Sequence, residues 1–203
     1  MTESIGQALD RVFGHPRGWL GRLGGAVMAS SNAATERHVS TVARAGDGET
    51  ALVVGPGPGV GLAEVATKAA VTIGVDPSPD MLGLCGQRCA DRISNGTVRL
   101  HQGTAASTGQ EPESVDVVIS VNNVQFWEDR KAAFGELFRV LRPGGRIVLS
   151  AHEKSLPVSR HELADELEQA GFADLQTWVW DPPGPAAPRA AQLRAWRPSA
   201  DPR

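Results

Sequence analysis

Thr50-Ala51-Leu52-Val53-Val54-Gly55-Pro56-Gly57-Pro58-Gly59-Val60-Gly61 passes from a short apolar run into a loop with glycine at every second position. The first five residues have the composition of a strand buried on both faces. The glycines let backbone amides approach a ligand more closely than any side chain would allow. A helical pattern follows over residues 62–70. A second buried run over residues 71–75 then ends on Asp76, twenty-one positions after Gly55. Strand, glycine loop, helix, strand and terminal carboxylate form one unit.

Outward from this unit the alternation continues. Periodicity predicts a helix over 79–92, strands over 97–101 and 115–121, and a helix over 129–141. A turn of Arg142, Pro143, Gly144 and Gly145 launches a strand over 146–151. A helix over 160–170, a strand over 175–180, a proline-rich link and a last strand over 191–196 complete the pattern. Strands separated by single helices imply a mostly parallel, doubly wound α/β sheet with helices on both faces and the ligand at the strands' carboxyl ends. Residues 2–44 lack period-2 alternation and read as two or three lid helices with a break at Gly14-His15-Pro16. The expected organisation is one domain: lid helices over 1–46, a core over 47–197 and a flexible tail over 198–203.

The glycine loop and Asp76 stand in register for an adenosine-bearing ligand, since a carboxylate at the end of the second strand accepts hydrogen bonds from both ribose hydroxyls. A nicotinamide dinucleotide fits less well. Its G-x-G-x-x-G fingerprint needs glycine where Val60 stands, or a small residue where Leu62 stands.

Four stretches, VVGPGPG at 53–59, GVDPSPDML at 74–82, SVDVVISVNNVQFW at 114–127 and ELFRVLRPGGRIVLS at 136–150, resemble the class I methyltransferases that use S-adenosylmethionine (SAM). The small-molecule type related to ubiquinone and menaquinone methylating enzymes is the nearest likeness. The resemblance implies a Rossmann-like seven-stranded sheet with an antiparallel last strand. It also implies that Gly55, Pro56, Gly57 and Gly59 face the methionine part of SAM and that Asp76 faces the ribose. Pro77, Ser78 and Met81 would lie near the adenosine, Thr104 and Ala105 at the adenine edge, and Asn122 with Asn123 beside the sulfonium. The chain departs from many relatives in carrying Val53 where they have an acidic residue and Thr104 where they have Asp.

Methyl transfer from a sulfonium is an in-line displacement, so the protein chiefly has to align nucleophile, methyl and sulfur. An acceptor hydroxyl or ammonium also needs a base. The chain has no tyrosine, and His152, just after the fifth strand, is the foremost candidate. His15 and His38 in the lid are others, and Glu153 is a weaker one. Phe126 and Trp127 stand where they would wall an apolar acceptor pocket or pack a helix. Trp178 and Trp180 read as sheet packing.

The net charge of −3, with 20 Lys and Arg spread along the chain, offers no stripe for nucleic acid. The expected partner is therefore a small molecule, and the oligomeric state is left open. Cys85 and Cys89 read as reduced thiols, no metal set is complete, and no apolar run is long enough for a membrane span. The expected location is cytoplasmic. SAM-dependent methyl transfer to a small, partly apolar acceptor is the leading reading. The alternatives are a catalytically silent SAM- or nucleotide-binding module and, behind it, an NAD(P)-dependent oxidoreductase.

Overall fold

A computed structural model describes residues 32–183 and 188–199. The lid positions ahead of residue 32, His15 among them, lie outside the described residues, as does most of the tail. A helix over 32–43 (α1) precedes β1 (Thr50–Val54), α2 (Val60–Val65), β2 (Val71–Asp76), α3 (Pro79–Arg88), α4 (Ala90–Ser94) and β3 (Val98–Gln102). Then come β4 (Val115–Val121), a 3-10 turn (Val124–Phe126), α5 (Arg130–Val140), β5 (Leu141–His152), α6 (Arg160–Gln169), β6 (Ala173–Trp180) and β7 (Ala190–Trp196). The strands form one sheet in the order β3-β2-β1-β4-β5-β7-β6. β1 pairs in parallel with both β2 and β4, whereas β7 runs antiparallel to β5 and β6. The strand order reverses between β1 and β4, and that switch point opens a crevice at their carboxyl ends.

Alternate side chains of each strand feed opposite faces. Leu52 and Val54 join Phe134, Leu137, Leu163 and Leu167 on the face covered by α5 and α6. Ala51 and Val53 join Val39, Leu62, Val65 and Cys85 on the face covered by α1, α2 and α3. Both faces of the central strands are dry, which is why their sequences read as unbroken apolar runs.

Three elements differ from the periodic reading. The helix expected over 62–70 stops at Val65, and residues 66–70 turn back toward β2. The helix expected over 79–92 breaks at Cys89, whose φ of −108° and ψ of 19° leave the helical region before α4 resumes. The turn at 142–145 is instead a bulge inside β5. Val115 pairs with Leu141 and Val117 with Arg146, so these four residues oppose Asp116 alone. Gly145 is needed there because a Cβ would sit 2.9 Å from the Asp116 carbonyl oxygen.

Arg146, the first residue after the bulge, fastens α1 to the sheet. Its Nε donates to the Ala43 carbonyl at 2.6 Å and its Nη2 to the Arg44 carbonyl at 2.7 Å, capping the orphan carbonyls at the end of α1. The same guanidinium grips Glu49 at 2.8 Å through both carboxylate oxygens, holding the Glu49 carboxyl below its ordinary range. Arg146→Met should therefore cost about 2 kcal/mol, lowering Tm by roughly 4–8 °C. The depressed Glu49 pKa contributes stability above the ordinary carboxylate pKa of about 4.3 and loses it in acid. The gap between wild type and variant in a thermal melt should thus be widest near neutral pH and narrow as pH falls.

Candidate active site

A cavity of about 280 Å³ lies at the switch point, near the lower end of the size range of small-ligand sites. Its floor is the turn after β1. Gly55, Gly57 and Gly59 have φ of 65°, 52° and 84°, so the chain adopts left-handed geometry at every second residue. The loop is pinned from several sides. The Gly55 amide donates to the Val75 carbonyl at 2.9 Å, the Cys85 thiol donates to the Gly57 carbonyl at 3.1 Å, and Arg88 Nε donates to the Pro58 carbonyl at 2.9 Å.

The two glycines at the mouth differ in what surrounds them. A Cβ on Gly55 would stand 2.2 Å from Asn123 Nδ2, so the Asn123 amide lies directly over this backbone. A Cβ on Gly57 would meet nothing within 4 Å, and Gly57 borders the cavity. Backbone bare of side chains beside open space lets a ligand lie directly against the main chain.

One wall comes from the end of β2. Asp76 is buried, lines the cavity and accepts the Ser78 amide at 2.9 Å through Oδ1. Ser78 caps α3 by accepting the Met81 amide, and Met81 reaches the cavity from the first turn of that helix. The opposite wall is the end of β4. Asn122 adopts φ of 50°, a region that Asn tolerates better than most residues. Its Oδ1 accepts the His152 amide at 2.9 Å, and its Nδ2 stands 3.3 Å from His152 Nε2. Asn123 Oδ1 accepts from Trp127 Nε1 at 2.6 Å, which anchors the indole where it lines the cavity with Phe126.

Of the twelve residues nominated for SAM, ten border the cavity: Gly55, Pro56, Gly57, Asp76, Pro77, Met81, Thr104, Ala105, Asn122 and Asn123. The other two act from behind. Gly59 packs its backbone on Cys85, where a Cβ would lie 3.0 Å from the sulfur, and Ser78 serves as the helix cap. His152 does not border the cavity and reaches it through Asn122. Burial lowers its pKa, favouring the neutral imidazole. Since Asn122 Oδ1 is committed to the His152 amide, Nδ2 is the group facing the ring, which makes Nε2 the acceptor. His38 lies elsewhere, stacked on Trp180 with ring centroids 4.0 Å apart.

Sequence reasoning missed Asn32 and Glu36, which enter the cavity from α1. They stand four residues apart and so share one helix face, which was the available signal. Glu36 Oε2 accepts the Gly61 amide at 2.5 Å. Burial pushes its carboxyl up to about 7, against the partial relief of that hydrogen bond and of the Arg88 and Arg37 charges. Among the described residues the cavity is lined by four carboxylates, Glu36, Asp76, Glu128 and Asp129, and by no Lys, Arg or His.

The reversed seventh strand, the glycine loop after β1 and the carboxylate ending β2 define the architecture of a class I methyltransferase. Residues 52–149 match the family model for a methyltransferase domain. The chain is 29% identical over 163 residues to the uncharacterized methyltransferase YdaC of Bacillus subtilis, covering 75% of this chain and 87% of that protein. It is 34% identical over 102 residues to the demethylmenaquinone methyltransferase of Tropheryma whipplei, covering half of this chain but only 41% of the relative. A structure of Haemonchus contortus phosphoethanolamine N-methyltransferase 2, bound to phosphomonomethylethanolamine and S-adenosylhomocysteine, superposes with a TM-score of 0.74 at 15% identity. That superposition covers 98% of this chain and 61% of the other. The chain belongs to the class I SAM-dependent methyltransferases, with SAM as cofactor.

Two substitutions separate packing from ligand access. Gly55→Ala must displace Asn123 and should cripple both stability and SAM binding. Gly57→Ala should cost only the backbone strain of about 1–2 kcal/mol in a denaturant melt, while its methyl group still obstructs SAM in a binding titration. The raised Glu36 carboxyl adds a pH signature. A folded-state pKa above the unfolded value lowers stability as pH rises from about 4.5 to about 7. Glu36→Gln should accordingly raise Tm by roughly 3–6 °C at pH 8 and leave it nearly unchanged at pH 4.5.

Proposed function

We propose that the protein transfers the SAM methyl group to a small, partly apolar acceptor held between the glycine loop and the Phe126–Trp127 wall. The observation that carries this reading is the sign of the cavity: four carboxylates and no basic side chain among the described residues that line it. A sulfonium donor is cationic at its reacting centre and suits such a site. A dinucleotide pyrophosphate would bring two negative charges to it with no counter-charge from those side chains, which disfavours the oxidoreductase alternative.

Bound in this cavity, SAM supplies a methyl group already activated by its positive sulfur. The protein's own residues have the work of placement. Asp76 receives the ribose hydroxyls, Met81 and Ala105 cover the adenine, and Thr104 takes its edge. The amides of residues 55–57 face the amino-acid end. Asn122 and Asn123 stand at the switch point between donor and acceptor, and His152 fixes the orientation of the Asn122 amide from behind. Phe126, Trp127 and Ala133 form an apolar, water-excluding wall for the acceptor. From the other side α1 borders the cavity through Asn32 and Glu36.

Isothermal titration with SAM, S-adenosylhomocysteine and NADH tests the assignment. The expected outcome is binding of both adenosyl ligands and none of NADH; the reverse pattern would sink it. Asp76→Ala should weaken S-adenosylhomocysteine by about 10- to 150-fold, the scale of charge-assisted hydrogen bonds, with the melting curve preserved. Unchanged affinity would mean that the ribose lies elsewhere.

A further inference from the structure

We propose that Glu36, together with Asn32 one turn earlier on α1, is the recognition pair for the α-ammonium of the donor. This inference rests on the SAM reading and assigns the amino-acid end of the ligand to α1, an element that adds no strand to the sheet.

Glu36 borders the main cavity beside Gly55, Pro56 and Gly57. It also borders a small recess lined by Val53, Gly61 and Leu62. Val53 supplies no charge there, so the carboxylate in that recess comes from α1. One of its oxygens is held by the Gly61 amide, and no described residue bonds the other. Asn32 is 7% exposed, lines the same cavity, and its Oδ1 has no hydrogen-bond partner among the described residues. A buried acceptor without a donor, as Asn32 Oδ1 is among the described residues, is costly unless a ligand brings the donor, and Glu36 borders the same cavity. An ammonium carries three N–H groups and one positive charge, and it satisfies both acceptors at once.

Position along the ligand agrees. Asp76 and Glu36 both line the cavity, one from the end of β2 and the other from α1, with Gly55, Pro56 and Gly57 of the loop in contact with the same space. With the ribose on Asp76, the methionine end extends along the loop to the α1 pair. The charged and titratable groups that act on Glu36 are Arg37 on its own helix and Arg88 on α3, while Cys85 on α3 and Asp76 on β2 share its surroundings. Arg88 directs its Nε to the Pro58 carbonyl, and among the described residues no ion pair joins either arginine to Glu36.

The test compares two probes by titration calorimetry: S-adenosylhomocysteine, which has the amino-acid group, and 5′-methylthioadenosine, which lacks it. Glu36→Gln should weaken S-adenosylhomocysteine by about 10- to 100-fold, the scale of a charge-assisted hydrogen bond. Methylthioadenosine should stay within about twofold, because it never reaches α1. Asn32→Ala should show the same selectivity with a smaller loss. Titrations in buffers of different ionisation enthalpy at pH 7 should show wild type releasing a proton on binding S-adenosylhomocysteine as Glu36 ionises, and Glu36→Gln releasing none. Equal losses for both probes would mean that the substitution damages the loop and would overturn the assignment, as would an unchanged S-adenosylhomocysteine affinity. If wild type binds neither probe, the SAM reading itself fails and this inference fails with it.

Discussion

Between Val54 and Val60 the backbone has to leave a buried strand, turn, and enter a helix while keeping side chains off its outer surface. Much of the site follows from that demand. The positive φ angles at Gly55, Gly57 and Gly59 make the turn possible, but glycine is also the residue that loses most entropy on ordering. The surroundings offset this by holding the loop at several points: Val75 at its start, Cys85 and Arg88 along its outer rim, and Glu36 just beyond it at Gly61. Each support comes from a different element, so the loop's shape is a property of the whole carboxyl edge. Asn123, lying over Gly55, makes β4 part of the same arrangement.

The charge of the cavity is a second constraint that connects distant parts of the chain. Taking a carboxyl out of water is unfavourable, and the raised Glu36 carboxyl reflects that desolvation. The helix bearing Glu36 is nonetheless held against the sheet by the Arg146 contacts and the Val39 and Ala43 packing. Stability is thus spent on keeping acidic groups where a cationic ligand would meet them, a pattern common to binding sites.

The sheet was legible because its central strands are apolar on both faces, and the positions of Gly55, Asp76, Asn122 and Asn123 follow from where those strands end. The bulge in β5 was not legible. Arg142, Pro143, Gly144 and Gly145 carry a turn signature, and only pairing of Leu141 with Val115 shows that the strand resumes on the same neighbour. Helix ends were misjudged where tertiary contacts decide them, at Val65 and Cys89. Glu36 was missed because its four-residue spacing from Asn32 places both on one helix face but does not report how α1 docks on the core. The place of His152 depends likewise on Asn122 adopting a left-handed backbone, which turns its amide toward the imidazole.

Cys85 has a consequence for the chemical durability of the site. Its sulfur packs on Gly59 and donates to the Gly57 carbonyl, and burial, with the Asp76 charge adding to it, pushes the thiol well above the ordinary range. Oxidants attack the thiolate, not the thiol. Oxidation would enlarge the sulfur where it packs on Gly59 and remove the S–H that donates to the Gly57 carbonyl. The sulfur that supports the glycine loop is therefore held as the thiol, the form less open to oxidation.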